Sequence, residues 1–170
     1  MFCGNQSANT KLKMARRRIL LLGDETLRKK SKPVEVFDDN LKTLVKDMFE
    51  TMYKAEGAGL AAVQVGLLKR LFVVNVGGGE LVFVNPEILE TQGKQKSKVE
   101  ACLSIPGKWG EVERPNKVRI KYQDENGNFH EETFVGYACK AVCHEYDHLD
   151  GILYIDKAIK MHDNNEGESN

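Results

Sequence analysis

The sequence predicts an α+β fold in which antiparallel strands wrap around a central helix. Three observations predict it: a three-four apolar stripe between Leu41 and Tyr53, two pairs of β-rich runs each joined by a glycine-containing turn, and a second helical pattern from Gly136 to Leu149. The first helix begins after Asp38-Asp39-Asn40, whose side chains suit a helix cap. It places Leu41, Leu44, Val45, Met48, Phe49, Met52 and Tyr53 on one face, the mark of a helix packed on a core. Beyond the break at Gly57-Ala58-Gly59, the runs Leu71 to Val76 and Leu81 to Val84 flank Gly77-Gly78-Gly79 and predict a hairpin. Lys117 to Gln123 alternates apolar Val118, Ile120 and Tyr122 with polar neighbours, and Glu125-Asn126-Gly127 turns the chain into Phe129 to Val135, a second hairpin. The closing helix carries Tyr137, Ala138, Ala141, Val142, His144, Glu145, His148 and Leu149 and stops near Asp150-Gly151, where glycine suits the C-terminal cap.

A chain of 170 residues with 41% hydrophobic content buries one continuous core, so a single catalytic domain is expected over residues 16–157. Residues 1–15 are expected to be a disordered extension and residues 158–170 a disordered acidic tail, since both are polar and aperiodic. The 25 basic and 25 acidic residues cancel, which excludes a global field that steers the protein to nucleic acid or membrane, and no apolar run is long enough to span a bilayer. Four scattered cysteines do not make a disulfide framework and fit a reducing compartment. A monomer in the cytoplasm is expected. The alternative is an organelle matrix or stroma, if the basic, acid-free N-terminal segment is the remnant of a targeting peptide.

His144-Glu145-Tyr146-Asp147-His148 sets two imidazoles four residues apart, on one face of a helix, where they can share an ion with a carboxylate alongside. A catalytic ion usually takes three protein ligands, so a third must be found. The metalloprotease spacing through Gly151 would demand histidine at position 154, which is Tyr154. Downstream, His162 is a weak candidate in the polar tail. Upstream, Cys102 offers a thiolate, and mixed thiolate and imidazole ligands suit iron(II), zinc, cobalt or nickel. Beside such an ion Glu145 would accept the proton of an attacking water and return it to a leaving amine. The glycines around Ala58 permit close backbone approach, so Gly57, Ala58 and Gly59 could pair with an extended peptide. Glu100 and Arg114 are a candidate ion pair bracing the cysteine loop, and Asp147 a candidate orienting group.

Three ordered motifs, Gly57-Ala58-Gly59-Leu60-Ala61-Ala62-Val63-Gln64, Glu100-Ala101-Cys102-Leu103-Ser104 and His144-Glu145-Tyr146-Asp147-His148-Leu149, together resemble peptide deformylase. The resemblance runs from about Ile19 to Ile155 and includes Leu27-Arg28, Pro33-Val34, Asn85-Pro86 and Ile105-Pro106-Gly107. It implies a peptide-deformylase-like fold around a metal-binding helix. It also implies a metal-dependent hydrolase that removes the formyl group from the N-terminal methionine of newly made proteins and releases formate. By the same resemblance Cys102, His144 and His148 hold the ion, with Fe(II) favoured. The Gln64 side-chain amide and the Leu103 backbone N–H would stabilise charge on the formyl oxygen. Ala101 and Ile105 would flank the peptide groove, and a pocket near His144 would take the methionine side chain. The partners implied are N-formylmethionyl nascent peptides and, transiently, the ribosome, although the chain after Ile155 lacks the long final helix of some family members.

Three positions depart from the family pattern: Ala101 and Gly23 stand where it usually has glycine and proline, and Cys143 stands where it usually has glutamine. Ala101 adds a methyl beside the cysteine. Cys143 lies about 100° around the helix from His144 and should face away from the ion. Two rival readings use the same motif differently. A metallopeptidase would need a third ligand other than Cys102, and a non-enzymatic module would bind metal or formyl-peptide without turnover.

Overall fold

The computed structural model describes residues 16–164, so the expected extension over 1–15 and the last part of the expected tail lie outside the described residues. Helix α1 spans Asp39–Lys54, and its N-cap Asp38 accepts a hydrogen bond from the Leu41 N–H at 3.0 Å. Leu41, Leu44, Val45, Met48, Phe49 and Met52 are all buried, and they pack against Leu60, Leu71, Val73 and Val84 of the neighbouring sheet. That sheet has five antiparallel strands in the order β1-β2-β3-β6-β7, with β1 at Gly59–Ala61, β2 at Leu71–Val74, β3 at Leu81–Gln92, β6 at Lys117–Gln123 and β7 at Phe129–Val135. Both expected hairpins are present. Strand β3 runs well past Val84, bending where its register with β6 shifts between Val84 and Glu87. Pro86 has no N–H for the ladder there, and Asn85 takes φ 49° and spends its side chain on the Val34 N–H and C=O.

Helix α2, Gly136–His148, lies across β1, β2, β6 and β7. Its back buries Cys139, Val142 and Cys143, with Leu149 just beyond, against Phe72, Phe83, Val118, Ile120 and Tyr122. The rings of Phe72, Phe83 and Tyr122 stack in sequence at 4.5 and 4.3 Å between centroids. Cys143 therefore lies in the apolar cluster behind the helix, as its position around the helix predicts. Where α2 ends, Gly151 takes φ 73°, and a Cβ there would collide with the Arg28 carbonyl.

A second antiparallel sheet, β4-β5-β8, is formed by Gln95–Cys102, Ile105–Arg114 and Ala158–Asp163. Strand β8 departs from the expectation of a disordered tail over residues 158–163 and carries ordered structure past 157, while residues 165–170 lie outside the described residues. Residues 158–163 pair with β5, Trp109 opposite His162 and Gly110 opposite Met161. The pairing supplies backbone hydrogen bonds that the segment cannot advertise in its own sequence. Gly110 admits the Met161 sulfur, which would lie 2.9 Å from a Cβ at that position.

Candidate metal centre

Two structural elements bring the candidate ligands together. Helix α2 carries His144 and His148 one turn apart, with ring centroids 5.0 Å from each other and the rings nearly perpendicular. Strand β4 ends at Cys102, where a tight turn through Leu103 and Ser104 pairs Cys102 with Ile105 at the start of β5. The Cys102 Sγ lies 3.4 Å from the His148 Nε2, and one ligand atom from each of Cys102, His144 and His148 falls within 4.8 Å of the others. All three side chains are buried. His162 is not part of this group. It stacks on Trp109 at 3.9 Å between centroids and lies 3.5 Å from Glu111. Tyr154, at the spacing where a protease-type third histidine would stand, instead stacks its ring on His144 at 6.1 Å.

A chain of buried charges orients the histidine. The Nδ1 of His144 lies 2.7 Å from Glu100 Oε1. An ionised carboxylate only accepts, so His144 must carry its proton on Nδ1 and, when neutral, present the Nε2 lone pair to the cluster. Arg114 clasps Glu100 through Nε at 3.1 Å and through Nη2, and reaches Asp147 with Nη1 at 2.6 Å. Lys157 completes the chain on Asp147 at 2.8 Å. Burial alone would raise the Glu100 carboxyl, but the hydrogen bonds and charges of His144 and Arg114 outweigh it and bring the pKa down to about 2. His144 is likewise pulled down by burial, yet its hydrogen bonds to Cys102 and Glu100 raise it well above an ordinary histidine. Burial and the neighbouring His144 hold His148 well below one. A soft thiolate and two imidazoles at this separation form a donor set that fits a tetrahedral divalent ion with one position left for water or substrate.

Glu145 lies beside the cluster with its side chain buried, and its Oε2 finds no hydrogen-bond partner among the described residues. Burial is the main cause that lifts its pKa to about 7. Gln64, just after β1, is also buried. Its Oε1 accepts from the Ala61 N–H at 2.9 Å, which turns its Nε2 toward Ser104 Oγ at 3.1 Å and Cys102 Sγ at 3.4 Å. A groove of about 910 Å³ opens over these groups. Gly57, Ala58 and Gly59 border it on one side, Ala101, Leu103 and Ile105 on another, and Gln64, Cys102, His144 and Glu145 lie at its floor. His148 is fully buried behind that floor. The Ala58 C=O accepts from the N–H of Asn75, just after β2, at 2.9 Å, so by strand alternation the polar groups of Gly59 point the other way, into the groove.

Several groove residues were not singled out in the sequence. Tyr137, Lys140 and Ala141 line it from α2, and their spacing of seven, four and three residues before His144 was the signal that places them on its helix face. Trp109 lines the groove from β5, and Lys98 and Val99 line it from β4. No local pattern announces these, because they meet the groove only through the pairing of β4 with β5.

The fold and the cluster define a metal-binding α+β protein built for hydrolysis, with a buried carboxylate at hand and a strand edge open to a peptide. Comparison with known proteins narrows this to one family. The family model described as polypeptide deformylase matches residues 16–164. Peptide deformylase of Clostridium botulinum is 54% identical over 147 residues, covering 86% of this chain and 99% of its own. The crystal structure of peptide deformylase from Thermotoga maritima superposes with a TM-score of 0.83 at 46% identity, covering 85% of this chain and 98% of that one. That of Synechococcus elongatus, in complex with actinonin, gives 0.81 at 40% identity over 84% and 80% of the two chains. The chain belongs to the polypeptide deformylase family, a family of metal-dependent hydrolases whose activity is removal of the N-formyl group from nascent peptides. No helix among the described residues is long and apolar enough to cross a membrane.

Proposed function

We propose that this groove removes the formyl group from the N-terminal methionine of nascent peptides and releases formate. The observation that carries the reading is the buried Cys102, His144 and His148 group with Glu145 beside it, under the open backbone edge of Gly59. Cys102 Sγ, His144 Nε2 and His148 Nε2 would hold a divalent ion, which when bound would supply Lewis acidity and a water made nucleophilic near neutral pH. Fe(II) is favoured by family membership, and the donor set also suits zinc, nickel or cobalt. Glu145 takes the proton of the attacking water on its carboxylate and delivers it to the departing amine, which otherwise leaves as a poor anion. The Gln64 Nε2–H, aimed by its bond to Ala61, and the Leu103 N–H donate to the formyl oxygen as charge builds on it. Gly57, Ala58 and Gly59 border the extended peptide, whose backbone pairs with the free polar groups of Gly59, and Ala101 and Ile105 flank it.

The protein acts as a monomer in the cytoplasm, in transient contact with the ribosome where its substrates emerge; an organelle matrix or stroma is the alternative compartment. Formate release from N-formyl-Met-Ala-Ser by anaerobically prepared, metal-assayed protein tests the reading. Release by wild type that collapses in Glu145→Ala and Cys102→Ala supports it. No release at one bound ion per chain sinks it.

A further inference from the structure

The groove carries a charge that the proposed chemistry does not use. Lys96 and Lys98 on β4 and Lys140 on α2 all line it, and none of them makes an ion pair with another described residue. Lys108 also lines it but is spent on Asp163 at 3.3 Å. The acids of the groove do not cancel the lysines. Glu100 is held by Arg114 and His144, Glu145 is buried at the floor, and only Glu56 is exposed. A protein with no net charge thus concentrates unpaired positive charge along one cleft.

The local backbone explains why. The register of β4 on β5 shifts between Ser97 and Glu100, a bulge that turns both Lys98 and Val99 outward, so consecutive side chains face the groove instead of alternating. From α2, Lys140 stands one turn, about 6 Å, before His144 on the same helix face, with Tyr137 a further turn away. Of these lysines, Lys98 and Lys140 each stand near an exposed apolar side chain on their own wall, Val99 at 65% and Tyr137 at 63% exposure. That pairing suits a side chain with an aliphatic stem and an anionic tip.

We propose that Lys98 and Lys140 determine specificity, selecting peptides that carry a glutamate or aspartate within the first few residues after the N-terminal methionine. The proposal rests on the reading of this groove as a formyl-peptide site. Low-dielectric walls focus the field of the lysines on the bound chain, while salt screens them. The lysines stand off the reacting atoms, so they act on peptide binding and their effect falls on KM.

The test compares N-formyl-Met-Ala-Xaa-Ala and N-formyl-Met-Xaa-Ala-Ala, with Xaa glutamate, glutamine or lysine, on metal-loaded protein at about 50 and 500 mM NaCl. Calorimetry of the same peptides without the formyl group gives a readout independent of turnover. At low salt the glutamate peptide should exceed the lysine peptide about fivefold in kcat/KM and in affinity at one or both positions, shrinking below about twofold at high salt. The Lys98→Ala/Lys140→Ala protein should lose the preference and the Lys98→Arg/Lys140→Arg protein keep it. Glutamate and lysine peptides within twofold of each other at low salt at both positions overturn the proposal, as does a preference that survives in the alanine protein. Absence of formate from every peptide, with glutamate peptides still bound more tightly, would overturn the deformylase reading and leave the charge selection standing.

Discussion

Gly59 and Glu145 share one volume: a Cβ on Gly59 would fall 2.7 Å from the Glu145 Cγ and collide with its carboxylate. The strand edge proposed to take the peptide and the proposed proton carrier are thus placed by a single missing methyl. Gly59→Ala must push Glu145 aside or lift β1. We expect kcat/KM to fall about 100-fold, the effect of displacing a reacting group by an ångström, with a loss of stability of about 1–3 kcal/mol. Steady-state kinetics beside urea unfolding check this. Near wild-type activity would mean that Glu145 is not held where the structure places it.

Glu145→Gln keeps the size of the side chain and removes its ability to carry a proton. Turnover should fall about 10²- to 10⁴-fold with metal content unchanged. Elemental analysis alongside formate release separates this from loss of the ion. A variant that keeps more than a tenth of wild-type kcat would move the proton transfer to another group.

Arg114→Met removes the buried cation that Glu100 and Asp147 share, leaving Glu100 to His144 and Asp147 to Lys157. Stability should drop by about 3–5 kcal/mol, because the carboxylates remain desolvated while their partner is gone. Metal affinity should weaken about 10- to 100-fold as His144 loses its fixed orientation. Denaturant melts and competition with a chelator read the two effects separately.

Asp124 gives a pH dependence far from the metal centre. Burial would raise its carboxyl, but hydrogen bonds from His130 at 2.9 Å, from the Asn128 side chain and from the backbone N–H groups of Asn126 and Asn128 bring the pKa down to about 2 from 3.8. The folded value lies below the unfolded one. The stability it contributes is therefore full above about pH 4 and is lost as pH falls from there toward 2. His130→Ala should raise the Asp124 midpoint in a carbon-detected NMR titration and flatten the stability curve over that interval. An unmoved midpoint would assign the depression to the Asn126 and Asn128 contacts.

What could be read from sequence followed from how local each signal is. The α1 stripe, both hairpins and the His144 to His148 spacing are written within a turn or two of chain, and all are in the structure. The second sheet was not legible. Bulges between Ser97 and Glu100 and between Glu111 and Val112 break the alternation that would mark its strands, and Pro106, Gly107 and Gly110 look like loop residues. Strand β8 mixes apolar and polar residues, exposes most of them, Ile159 and Met161 included, and only its pairing to β5 makes it a strand. Glu100 and Arg114 could be matched by charge, whereas the bridge from Arg114 onward to Asp147 and Lys157 joins three separate segments. Gln64 entered through a resemblance. Its burial and its bond to Ala61 supply the physical reason that a polar residue leaves the surface.

The cluster draws its donors from two distant stretches of chain, since Cys102 and His148 are 46 residues apart. In the unfolded chain that separation is a floppy loop, and an ion gripping both ends closes it. Chain entropy sets a ceiling of about 4 kcal/mol on what such a closure contributes. An ion held there would be a clasp as well as a reagent: it would fasten the end of β4, in the second sheet, to the helix packed on the first, and the two sheets would part more readily once it was lost.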